Sequence, residues 1–128
     1  MLVLQIWNDA KRPEALKEAA QQAVQDLQCG YLDLLLLHWP NAWKPGTQED
    51  DPDATLDATW AAMEELVASG VARQLGVANF GLAQVEALLD TARACKPVCN
   101  MAELHPRLSQ RKLVGRLLRK VRAARSTV

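Results

Sequence analysis

The stretch YLDLLLLHWP, residues 31–40, constrains the fold of the 128-residue chain more than any other. Leu32 to Leu37 form an apolar run broken only by Asp33, and Gly30 and Pro40 bracket it too closely for a free helix. A strand buried on both faces fits, and such strands belong to parallel sheets covered by helices. The run then ends on His38, Trp39 and Pro40, so a titratable imidazole stands where a buried strand opens into a loop. In α/β proteins that is where chemistry is placed.

The rest of the chain repeats this alternation. Leu2 to Ile6 reads as a short buried strand. Pro13 suits the first turn of a helix, and Ala15, Leu16, Ala19, Ala20, Ala23, Val24 and Leu27 follow at helical spacing. Residues 41–54 are loop, with Pro45-Gly46 and Pro52 as breakers. Asp53 or Thr55 caps a helix with Leu56, Thr59, Trp60, Met63, Leu66 and Val67 inward, ended by Ser69-Gly70. Val71 to Ala78 is a third strand, Leu82 to Ala94 a helix, Pro97 to Met101 a fourth strand. A last amphipathic helix runs from about Ser109 to Arg122. The order β-α-β-α-β-α-β-α implies a parallel sheet with right-handed crossovers. Either an open doubly wound sheet or part of a (β/α)8 barrel satisfies it. No Gly-x-Gly-x-x-Gly follows any strand, which removes the main mark of an open dinucleotide fold.

Composition adds bounds. The chain is 49% hydrophobic and 23% charged, ordinary for one globular domain, and no apolar run approaches the roughly 18 residues of a membrane span. Cys29, Cys95 and Cys99 make no even framework, so a reducing, cytoplasmic setting is expected. Cys95, Cys99 and His105 straddle a strand without an obvious fourth ligand, so no metal site is expected. Net charge is zero, but Glu49, Asp50, Asp51, Asp53 and Asp57 crowd one short stretch, and eight cations follow Glu103 with no acid among them. The basic end is read as the solvated face of a helix rather than a nucleic-acid surface. Asp57, Glu64 and Glu65 read as the exposed side of the second helix.

Strand C-terminal ends form the functional rim in either architecture. They are Gln5-Ile6-Trp7-Asn8, His38-Trp39-Pro40, Val77-Ala78-Asn79-Phe80 and Asn100-Met101-Ala102-Glu103. In this order they resemble the central part of the aldo-keto reductase family. LQIWN resembles the family's Lys-Leu-Trp-Asn, and DLQCGYLDLLLLHWP its Leu-Asp-Tyr-Leu-Asp-Leu-Tyr-Leu-Ile-His-Trp-Pro. LVASGVARQLGVANF resembles Leu-Val-x-x-Gly-Lys-Val-Arg-x-Ile-Gly-Val-Ser-Asn-Phe, and KPVCNMAELHP resembles Lys-Pro-x-x-Asn-Gln-x-Glu-x-His-Pro.

The resemblance implies a partial (β/α)8 TIM barrel of about four consecutive βα units, like strands 3–6 of the family barrel. It covers residues 1–115. Residues 116–128 are expected to be a basic helix end and tail outside the pattern, since RKVRAARSTV does not read as the next strand. The family reduces aldehydes and ketones with NADPH. By resemblance His38 is the histidine that hydrogen-bonds the carbonyl oxygen as charge develops there. Trp7 and Trp39 line the substrate pocket, and Ala78, Asn79 and Met101 occupy the positions that hold the nicotinamide carboxamide. The family's catalytic lysine corresponds to Gln5, whose neutral amide cannot depress a phenol pKa as an ammonium does. Its tyrosine and aspartate fall upstream of the first matching block.

Three functions remain open at this point. The first is a fragment inactive as it stands, with NADPH binding in doubt. The second is the middle of a longer active carbonyl reductase acting on a small aldehyde or ketone. The third is a non-catalytic interaction module using the basic tail. Half a barrel also exposes two strand edges, through which two copies are expected to pair.

Overall fold

The computed structural model describes the backbone of residues 1–120 and 123–127, and side chains through residue 119. Its strands are β1 (Val3–Ile6), β2 (Leu34–His38), β3 (Leu75–Ala78), β4 (Cys99–Glu103) and β5 (Ala123–Thr127). Between them lie α1 (Pro13–Asp26), α2 (Leu56–Ala68), α3 (Leu82–Thr91) and α4 (Arg111–Lys120), with a short 3-10 helix at Asn8–Ala10. All neighbouring strands are parallel and the sheet order follows the chain, β1-β2-β3-β4-β5. This sequential βα winding is that of a partial β/α barrel.

β2 is the centre of the molecule. Leu34 to Leu37 are all buried. Leu35 and Leu37 face the helical layer, in one core with Leu16, Trp60, Met63, Leu66, Val77 and Leu88. Leu34 and Leu36 pack on the other face with Cys99, backed by Val98 and Met101. Gly76 makes that second face possible. A methyl group there would meet Cys99 Sγ and Leu36 Cδ2, each at 2.6 Å.

Helix limits follow local chemistry. Pro13 opens α1. Thr55 caps α2, its Oγ1 accepting the Ala58 N–H at 3.3 Å, and Gly70 leaves the helix at φ +81°, a left-handed value that suits glycine. The inward residues of α2 are Thr59, Trp60, Ala62, Met63 and Leu66, while Leu56 and Val67 are only half-buried.

Several boundaries move from their expected places. β3 starts at Leu75, not Val71; Leu32 and Ala72 form only an isolated bridge. α3 ends at Thr91 because Ala92 turns extended (φ −60°, ψ 122°), and β4 runs to Glu103. The largest correction concerns the basic tail. α4 is described over Arg111–Lys120, the expected helix residues 121–122 lying outside the described residues, and residues 123–127, which do not read as a strand in the sequence, form a fifth strand parallel to β4 with Cys99 opposite Ala123 and Glu103 opposite Thr127. Glu64 is corrected too. Its Oε1 accepts three consecutive amides, Arg93, Ala94 and Cys95, at 2.8–3.0 Å, and so fastens the α3–β4 connection to α2. Glu65 is exposed as expected and bonds Lys17.

Candidate active site

The C-terminal strand ends carry a repeated backbone step. Trp39, just after β2, has φ +59° and donates its N–H to the Ala78 carbonyl at 2.8 Å. Asn79, just after β3, has φ +60° and donates to the Met101 carbonyl at 2.8 Å. Each strand thus ends on a left-handed residue stapled to its neighbour, which turns the chain away and leaves the last strand residue on the rim. The register places His38, Ala78 and Met101 in one row across the sheet.

The imidazole of His38 stacks on the Trp7 indole, with centroids 4.4 Å apart and planes 17° from parallel, and meets Trp39 edge-on at 5.9 Å. Trp7 and Trp39 remain 52% and 47% exposed, large for indoles, and with Asn8, Asn41 and Trp43 they line an open pocket of about 310 Å³. A larger cavity of about 580 Å³ lies on the helical side, between α2 and α3, away from the strand ends. Trp43, which no motif singled out, therefore joins the rim pocket. Trp60 does not; its indole N–H bonds the Cys95 carbonyl at 2.9 Å in the α2–α3 packing.

His38 Nδ1 is buried with no hydrogen-bond partner among the described residues. A proton there would be an unpaired buried donor, which favours the tautomer protonated on Nε2. Burial, and then the charge of Lys11, pushes the imidazole pKa below its ordinary value. The site therefore presents a neutral N–H donor at neutral pH.

Lys11 gave no signal in the sequence. It lies in the polar segment NDAKR between the first strand and the first helix, yet the residue is only 2% exposed. Its Nζ donates to the carbonyls of Trp39 and Asn41, and burial lowers its pKa to about 7. Gln5 lies two register rows in from the His38 row, opposite Leu36, and is exposed. Asn79 is half-buried, and its side chain makes no hydrogen bond among the described residues. Asn100 is already committed, its side chain exchanging two bonds with the Phe80 backbone.

The sequence matches the model of the aldo/keto reductase family over residues 2–122. The chain belongs to the aldo/keto reductase family. It is 40% identical over 119 residues to aldo-keto reductase family 1 member A1-A of Danio rerio, covering 86% of this chain and 36% of that protein. It is 40% identical to family 1 member C1 of Macaca fuscata fuscata and 38% identical to prostaglandin-E(2) 9-reductase of Oryctolagus cuniculus, covering in both cases 85% of this chain and 37% of the relative. The chain thus spans a little over a third of the length of these aldo/keto reductases.

Proposed function

We propose that this chain carries the carbonyl-polarising and nicotinamide-side part of an NADPH-dependent aldehyde or ketone reductase, and that by itself it does not turn over. The stacked, buried-edged imidazole of His38 supports the first half of this reading most strongly. Its Nε2–H is a fixed neutral donor on the rim, able to hydrogen-bond a substrate oxygen as negative charge builds on it. Trp7 and Trp39 supply exposed apolar walls for the carbonyl compound.

Of the three positions assigned to the nicotinamide carboxamide, one fits that group. The free side chain of Asn79 can donate and accept at once. Ala78 and Met101 offer only a methyl and a thioether, so they line the site without bonding it. A reduced nicotinamide held at Asn79 would supply the hydride.

The proton is what this chain does not provide. Its single tyrosine, Tyr31, precedes β2 at the end opposite His38, with the Arg73 guanidinium 3.5 Å over its ring. Gln5 brings no charge to activate a phenol. Neutral His38 is better suited to donate a hydrogen bond than to give up its proton. Three cysteines that make no even framework support a reducing, cytoplasmic setting.

The test mixes the 128-residue chain with NADPH and an aromatic aldehyde and follows loss of the reduced-nicotinamide absorbance. No oxidation above the protein-free rate is expected. Sustained, His38-dependent oxidation would contradict the second half of the proposal.

A further inference from the structure

Lys11 ends the short 3-10 helix, and its own carbonyl is held by α2 through the Thr59 hydroxyl at 2.8 Å. From this anchor its side chain crosses to the loop after β2 and donates to both Trp39 and Asn41 carbonyls. Two further bonds zip the same strand ends together: Trp43 N–H to the Asn8 carbonyl, and Trp39 N–H to the Ala78 carbonyl, both 2.8 Å. Trp39 sits at φ +59°, a conformation that a bulky residue seldom holds unaided. Its N–H is pinned from β3 and its carbonyl from Lys11. The residue immediately before it is His38.

We propose that Lys11 is a positioning residue for His38, its Nζ clamping the Trp39 and Asn41 carbonyls so that the left-handed turn, the imidazole and the Trp39 indole keep one arrangement. This rests on the reading of His38 as the residue that meets the carbonyl oxygen. A neutral amine still has two N–H bonds, one for each carbonyl, so the clamp holds whether or not Lys11 is protonated.

The charged form has a second effect. Lys11 makes no salt bridge among the described residues. On the neighbouring segment Arg12 is taken by Asp51 at 2.7 Å and reaches Asp53 at 3.7 Å, and on the loop Lys44 is taken by Glu49 at 3.0 Å. The cation that acts on His38 is therefore Lys11, and it opposes a second proton on the ring.

The test uses NMR on the full 128-residue chain, without cofactor or substrate, so it stands apart from any failure to bind or reduce. Lys11→Met removes donor and charge; Lys11→Arg keeps the charge and changes the geometry. In Lys11→Met the His38 ring should titrate at higher pH than in the parent, and the Trp39 and Trp43 amides should exchange about tenfold faster. The Val98 amide, bonded to Leu75 in β3, should not change. Lys11→Arg should restore the His38 titration but not the full amide protection. A folded Lys11→Met with unchanged His38 titration and unchanged exchange would overturn the proposal. Should that variant not fold, the parent chain decides. Its Lys11 Nζ resonance should be protected from water exchange, and a rapidly exchanging, solvent-like resonance would overturn the clamp.

Discussion

At the scale of single residues, buried cations make this chain sensitive to acid. Lys11 titrates at about 7 in the folded chain against an ordinary value of 10.5. Between those values the unfolded chain binds the extra proton, so stability rises with pH there, by at most about 1.4 kcal/mol per unit. It is lost again as pH falls toward 7. His38 works in the same direction: its folded pKa is depressed, so its contribution is present above 6.5 and lost as pH falls below it. Urea midpoints should climb from about pH 7 to about pH 9, and the climb should flatten in Lys11→Met. A pH-independent midpoint in the parent would contradict the burial of Lys11. Gly76→Ala should cost about 1–3 kcal/mol in the same assay, because Cys99 and Leu36 must move to admit the methyl group. His38 was legible in the sequence because a polar residue ending an apolar run breaks a pattern. Lys11 was not, because a charge buried by tertiary contact inside a polar segment breaks none.

Among the elements, what the sequence left out is mostly how connections are fastened. Strand and helix identities follow from the period of apolar residues, and β2, α1 and α2 lie close to where that period puts them. The end of α3 does not, because Val85, Leu88 and Leu89 set a helical period that carries no stop signal before Pro97. The stop comes from Glu64, 29 positions away from the first amide it binds. Glu64→Ala leaves three N–H groups without this acceptor and should lower stability by about 1–3 kcal/mol, read from urea unfolding. Glu65→Ala on the neighbouring, exposed position should change it by less than about 1 kcal/mol. Equal effects of the two substitutions would refute a special role for Glu64. The acidic loop shows the same limit of sequence reading. Asp51, one of five acids crowded into a short stretch, is 5% exposed and held by Arg12. The Arg12 hydrogen bond keeps its carboxyl below the usual range, so this contact stabilises at neutral pH and is lost only on strong acidification.

Over the whole molecule, the alternation of strand and helix made the partial barrel legible, while the fifth strand was hidden by its basic composition. Arg125 argues against a buried strand, yet 123–127 pairs with β4. Pairing to a single neighbour satisfies a backbone ladder whatever the side chains prefer. Among the described residues the sheet ends on β1, which pairs only with β2 and leaves Val3 exposed. An unpaired apolar edge of this kind favours association. Light scattering on the 14.1 kDa chain should give a dimer; a monodisperse monomer would count against edge pairing. The account turns most on whether the rim that holds His38 and Asn79 is a nicotinamide site. The direct measurement is a titration of the isotope-labelled 128-residue chain with NADPH, followed by NMR. The Asn79 side-chain amide and the His38 ring should shift together and saturate, while the amides of α2 and α3 lining the outer cavity stay still. Saturable shifts confined to that outer cavity, or none at Asn79, would contradict the placement of the site.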